Sequence, residues 1–310
     1  MDALSKIFDD IHLAKSEYIY IKAPHHSAFE YLNEPSMLAY VVLNGNAIVK
    51  FKNEKYLELE QGDLCLIPSG TQHHVYCTQT SELLSSLEIN DYFETHAQQT
   101  ITLNAVSETE QSFILAIRSK LDIQMAKPLL SALPLFIHIQ HISNATAPEW
   151  LQIGLHFLAV ETQSTRPGRD KILDHLVSIL FIECVRDYIL SLDNHSSWLG
   201  ALTHPELSNA LAALHGRPEQ NWTVETLAEQ CHMSRSKFAQ LFTQIVGETP
   251  LAYLQQHRLR LAAQYLRDSG LSIQQIAYSV GYNSETAFSQ SFKKQMGLTP
   301  TEYRKQAQMI

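Results

Sequence analysis

Two segments near the C-terminus repeat each other at a fixed step. Phe238/Phe288, Phe242/Phe292, Gly247/Gly297, Thr249/Thr299, Pro250/Pro300 and Tyr253/Tyr303 all stand 50 residues apart, and Ala228/Ala277 stand 49 apart. Such a repeat marks one structural unit used twice. In the first copy Thr223 precedes Val224, Leu227, Ala228 and Cys231, a helical apolar pattern with a capping residue in front. The turn His232-Met233 leads to Ser234, a second capping residue, then to Phe238, Leu241, Phe242, Ile245 and a closing Gly247. In the second copy Ser272 and Gln275 have capping-box spacing, and Ile273, Ile276, Ala277 and Val280 form the inner face. Gly281-Tyr282-Asn283 is the turn, and Ser284 opens a helix with Phe288, Phe292 and Met296 inward, closed by Gly297. Each copy predicts a helix–turn–helix. Thr-Pro after each copy reads as N-cap and first helical residue, and the first pair starts a helix over 251–268 that spaces the two units.

The second helices, 234–246 and 284–296, carry the functional signal. Their outward residues are Ser236, Lys237, Gln240, Thr243 and Gln244 in one, and Glu285, Thr286, Ser289, Gln290 and Lys293 in the other. Amides and hydroxyls read base edges in a major groove, and cations meet phosphates. With Ser234, Arg235 and Ser284, these are the expected DNA-binding residues. Charge supports this modestly. Residues 208–310 carry 10 Lys+Arg against 7 Asp+Glu, whereas residues 1–207 carry 13 against 25.

The N-terminal part has another period. Residues 17–90 alternate short β-branched and aromatic runs with turns such as Asn44-Gly45-Asn46 and Gln61-Gly62-Asp63, predicting an antiparallel sandwich or barrel. More strand follows around 135–142. Residues 148–163 and 170–192 read as helices, and 193–204 as a linker. The 172–192 stretch is apolar over a broad surface, which fits either burial in its own domain or contact with a second copy. Apolar residues at 45% and charged residues at 18% exclude global disorder. No run of about 18 uncharged apolar residues occurs, so no membrane partner is expected. Residues 1–6 do not read as a signal peptide, and four scattered cysteines without a CxxC suit a reduced, cytoplasmic protein.

From 205 to the C-terminus the chain resembles the DNA-binding domain of the AraC/XylS family of bacterial transcription regulators. The resemblance is most specific over 272–303: Ile276-Ala277, Val280-Gly281-Tyr282, Ser284, Phe288, Phe292-Lys293, Gly297 and Thr299-Pro300-Thr301-Glu302-Tyr303-Arg304. It implies two helix-turn-helix subdomains inserting 234–246 and 284–296 into successive major-groove segments. Ala239 departs from it, standing where some relatives place a polar reader. Gly62, Pro68, Gly70 and His73 resemble the second motif of cupin barrels, and 128–134 and Arg166-Pro167-Gly168 resemble other parts of that sensor type.

The fold class expected is therefore α+β multidomain: a cupin-like β-barrel followed by helices, then an all-α domain with two helix-turn-helix units. The boundaries are 1–192 for effector binding and dimerisation, 193–204 for the linker and 205–310 for DNA binding. The implied partners are double-stranded DNA, a small-molecule effector, a second copy of the chain and RNA polymerase. Tyr20, Phe29, Tyr31, Tyr40, His73 and Tyr76, aromatic or titratable residues on predicted strands, are the expected effector-binding residues. Catalytic residues, metal and cofactor are expected to be none. Leu38 stands where metal-bearing cupins place a Glu, no His-x-His lies close upstream, and adjacent His25 and His26 point to opposite faces of a strand. Cys77 is read as a buried thiol rather than a redox sensor. The alternative, a metal-dependent cupin enzyme with a helical appendage, lacks the first-motif ligands.

Overall fold

A computed structural model describes residues 2–11, 14–24, 27–77, 86–96, 99–103, 111–140, 149–162, 167–192 and 198–307. His25, His26, Arg166 and residues 193–197 of the expected linker lie outside the described residues. The chain forms two compact units, one of Met1–Ile11, Ile123–Ala132 and Leu192–Ile310, the other of His12–Asp122 and Leu133–Ser191.

The sheet unit contains β1 (Ala14–Pro24), β2 (Ala28–Tyr31), β3 (Ser36–Asn44), β4 (Ala47–Phe51), β5 (Tyr56–Leu59), β6 (Leu64–Ile67), β7 (His73–Tyr76), β8 (Leu87–Glu88), β9 (Thr100–Thr102), β10 (Gln111–Lys120) and β11 (Ile137–Ile139). They form a six-stranded sheet, β11-β6-β3-β10-β1-β9, and a five-stranded sheet, β5-β4-β7-β2-β8. The expected barrel is thus two sheets whose ladders do not join among the described residues. Side chains hold them together: Ile19, Ile21, Leu38, Tyr40, Val42 and Ile114 of one sheet share a core with Phe29, Tyr31, Val49, Phe51 and Val75 of the other. Pairing is antiparallel except for β1–β9 and β2–β8. At Gly70 (φ 56°) a Cβ would collide with the Glu34 carbonyl oxygen, which explains the glycine of the cupin-like motif.

Sequence reading missed the charge inside this unit. Arg118 on β10 is 1% exposed. Its Nε and Nη2 donate to Glu17 Oε2 at 2.9 and 2.5 Å, and its Nη1 donates to Glu34 Oε2 at 2.6 Å. Its guanidinium lies 4.7 Å from the Phe93 ring centre. A buried cation persists only when paired in this way. The unit also holds α2 (Tyr92–Thr95), α4 (Glu149–Thr162) and α5 (Arg169–Leu190). Close packing of α4 on α5 places Gly154 where a Cβ would be 3.0 Å from Leu180.

The helical unit contains α1 (Ala3–Ile11), α3 (Ile123–Ala132), α6 (Trp198–Thr203), α7 (Ser208–Gly216), α8 (Val224–Gln230), α9 (Arg235–Val246), α10 (Pro250–Asp268), α11 (Ile273–Ser279), α12 (Glu285–Met296) and α13 (Pro300–Ala307). Two features of the helical unit stand beside the expected boundaries. Residues 198–203 are helix α6, with Leu199, Ala201 and Leu202 buried, rather than linker. And α1 and α3, early in the sequence, fold with the C-terminal helices. The apolar side of α1 (Ala3, Ile7, Phe8, Ile11) is buried where α1 meets α7 and α3. Met125 of α3 joins the core of the second helix-turn-helix with Leu259, Ile276 and Phe288. Burial of these stripes offsets the chain entropy of bringing distant segments together.

Candidate functional site

The two helix-turn-helix units are built alike. Thr223 and Ser272 cap α8 and α11 through complete capping boxes, with Thr226 and Gln275 as the reciprocal partners. Ser234 and Ser284 cap α9 and α12, accepting from the backbone N–H of Lys237 and Ala287. Gly247 and Gly297 end those helices in the left-handed conformation. The rings repeat as well. Phe238–Phe242 and Phe288–Phe292 both have centroids 5.6 Å apart, and Phe242–Tyr253 and Phe292–Tyr303 lie at 5.9 and 5.4 Å. Arg258 of α10 donates to the Pro218 and Gln220 carbonyls ahead of α8. Its guanidinium also lies against Gly281, in the turn of the second unit. One side chain thus ties both units to the helix that spaces them.

The outward faces stand where the pattern places them. Arg235, Ser236, Lys237, Gln240, Thr243 and Gln244 are exposed on α9, while Ala239 is half-buried. On α12, Glu285, Thr286, Gln290 and Lys293 are exposed and Ser289 is half-buried; with Thr299 they line a surface groove of about 340 Å³. Sequence reading missed two carboxylates that face the first helix. Arg235 Nε lies 2.9 Å from Glu225 Oε1, and Lys237 Nζ lies 3.1 Å from Glu206 Oε1.

The expected effector residues divide. Phe29, Tyr31, Tyr40 and His73 come together in the core of the sheet unit. The His73 ring centre lies 5.7, 5.5 and 5.5 Å from those of Tyr31, Tyr40 and Phe51. Its Nε2 shares a hydrogen bond with the Tyr40 hydroxyl at 2.9 Å, and its Nδ1 lies 2.6 Å from the Thr71 carbonyl oxygen. Burial pushes the His73 pKa from 6.5 down to about 4. Tyr20 and Tyr76 are not in this cluster. Strand alternation sends Ile19 and Ile21 inward beside Tyr20, and Val75 and Cys77 inward beside Tyr76. Tyr20 stacks on Phe113 instead, and Tyr76 on His74. Burial raises the Cys77 thiol to about 11, so it carries little thiolate at neutral pH.

Residues 227–306 match a family model for a helix-turn-helix domain, and residues 2–190 match one for a cupin. The HTH-type transcriptional regulator AlkR of Acinetobacter baylyi is 55% identical over 307 residues, 99% of this chain and 100% of the relative. A putative AraC-like transcription regulator of Streptomyces lividans is 35% identical over 182 residues, 58% of this chain and 59% of the relative. The chain belongs to the AraC/XylS family. Another relative is the RCS-specific HTH-type transcriptional activator RclR of Escherichia coli, 36% identical over 185 residues, 60% of this chain and 65% of that one.

As an AraC/XylS member, the chain is a DNA-binding transcription regulator with a cupin-like N-terminal domain, not an enzyme. In the cupin-like domain both ring nitrogens of His73 are engaged by protein groups, and Leu38, which stands where metal-bearing cupins place a Glu, is buried core. No helix of the regulator, among the described residues, is long and apolar enough to cross a membrane.

Proposed function

We propose that this regulator reads DNA with the exposed faces of α9 and α12. Gln240 and Gln290 each offer paired hydrogen bonds to adenine N6 and N7, and Glu285 accepts from cytosine N4. Arg235, Lys237 and Lys293 meet phosphates, with Ser236, Thr243, Gln244, Thr286 and Ser289 as shorter contacts. Ser234 and Ser284 use a lone pair for capping, so their O–H groups stay available to a phosphate oxygen. The observation that carries this reading is the duplicated cap and ring geometry, which makes α9 and α12 equivalent elements on one spacer helix. Side by side on one face of a duplex, their contacts centre about 10 base pairs apart and cover a site of about 20 base pairs.

The cupin-like domain is, in this reading, a sensor. Its ligand is a small, partly apolar molecule bound at Phe29, Tyr31, Tyr40 and His73, where one polar pair sits among rings. The regulator acts in the cytoplasm as a homodimer that contacts RNA polymerase. Selection of binding sequences from a random pool tests the DNA assignment. Gln290→Ala is expected to lose about 1–3 kcal/mol of discrimination at a single base position. A selected motif identical to that of the parent protein at every position would remove α12 as the reader.

A further inference from the structure

Three residues distant in sequence converge inside the helical unit. Asp10 lies in the last turn of α1, His215 in the last turn of α7, and His257 near the middle of α10. Asp10 Oδ2 is 2.8 Å from His215 Nδ1 and 3.8 Å from His257 Nε2. The two imidazole centroids are 4.2 Å apart. Both histidines are buried, and His257 Nε2 has no hydrogen-bond partner. An unpaired buried nitrogen is costly, and its presence calls for a reason. The three side chains face a cavity of about 10 Å³, close to the volume needed for one water or one ion.

We propose that Asp10, His215 and His257 bind one divalent transition-metal ion, zinc foremost, and so fasten α1 to the helix-turn-helix scaffold. Two imidazole nitrogens and one carboxylate suit a borderline ion such as zinc, and leave a further position for water. Calcium and magnesium take about six or more oxygen ligands, of which this set supplies only the Asp10 carboxylate. The outer shell is present. His215 Nε2 pairs with the Tyr253 hydroxyl at 2.7 Å. In the structure the Asp10 carboxylate accepts from His215 Nδ1 and the Tyr253 hydroxyl donates to Nε2; because that hydroxyl can also accept, it supports the other tautomer, with a proton on Nε2 and Nδ1 free, that a metal would require. Pro128, Trp198, Tyr253 and Arg260 line both the small cavity and a pocket of about 500 Å³ beside it. Arg260 opposes the ion electrostatically, with Glu248 and Asp10 offsetting its charge. Binding is therefore weaker than at a four-ligand structural zinc site.

The test uses the full chain, stripped with a chelator and titrated with cobalt as a visible probe, then with zinc as competitor. The parent protein is expected to bind one cobalt per chain, with a ligand-field band that zinc abolishes. Asp10→Asn, which keeps the shape and the contact with His215, and His257→Gln are each expected to weaken binding at least about tenfold. His138→Gln, in the sheet unit, serves as the control and is expected to bind like the parent. Failure of the parent to give the band, or equal affinity in Asp10→Asn and the parent, overturns the proposal. The signal is the metal's own spectrum, so it does not depend on DNA binding.

Discussion

In the turn of each helix-turn-helix the backbone passes through positive φ, at His232 (52°) and at Gly281 (85°). These positions are equivalent in the repeat, yet only glycine adopts such angles without strain. At Gly281 a Cβ would also meet the Glu219 carbonyl oxygen at 2.7 Å, and that backbone atom cannot swing aside. Gly281→Ala is expected to destabilise the helical unit by about 1–3 kcal/mol. His232→Gly relieves strain but frees the unfolded chain, so its effect stays within about 1 kcal/mol. Calorimetry of the helical transition compares the two, and equal effects would refute the argument. His73 gives a pH-dependent case. Its depressed pKa means that the unfolded state takes up a proton first as pH falls below 6.5, while the folded state stays neutral down to about 4. Stability of the sheet unit is therefore lost across that window, by an amount on the order of 3 kcal/mol. Urea unfolding between pH 7 and pH 4.5 is expected to show a shallower pH dependence in His73→Phe than in the parent.

At the scale of single helices, α9 and α12 share a frame but differ in charge. The α9 cations Arg235 and Lys237 face Glu225 and Glu206, whereas α12 places Lys293 and Lys294 in its last turn. Exposed pairs of this kind are worth at most about 1 kcal/mol, so Arg235 and Lys237 can still turn to phosphates. Lys293 makes the cleaner test. Lys293→Ala is expected to weaken binding to all sequences alike and to reduce the slope of log affinity against log salt by about 0.9. A sequence-dependent loss with an unchanged slope would make Lys293 a base contact instead.

The whole molecule raises the question of assembly. Most of the broad apolar surface of α5 is internal: Leu173, Val177, Leu180, Phe181, Cys184, Val185 and Ile189 are buried within the sheet unit. What stays exposed is a pair of stripes at helical spacing, Ile153, Phe157 and Val160 on α4 and Ile172, Ile179 and Leu190 on α5. These are the surface on which a dimer would form. Light scattering of the full chain at about 20 μM is expected to give a dimer, and Phe157→Glu with Ile179→Glu a monomer. A parent protein that is monomeric there would rule the surface out. The full chain is needed because a fragment ending near residue 200 would strip α1 and α3 of α7 and α10.

The sequence by itself determined the elements whose instructions are local. Caps, apolar periodicity and a doubled motif specify α8 to α12, because each signal acts within a few residues. The outward faces of α9 and α12 follow from the same period. The alternation of β1 and β7 was legible too, and it already excludes Tyr20 and Tyr76 from the inner face once the register is known. Only the tertiary structure decided the rest. The salt bridges of Arg118 with Glu17 and Glu34 span 101 and 84 residues, and the contact of Asp10 with His215 spans 205. No local pattern encodes such pairs. The nine-residue α1 carries too short a stripe to announce its partner. Its place among the C-terminal helices is set by the apolar surfaces of α7 and α3 that its buried side covers.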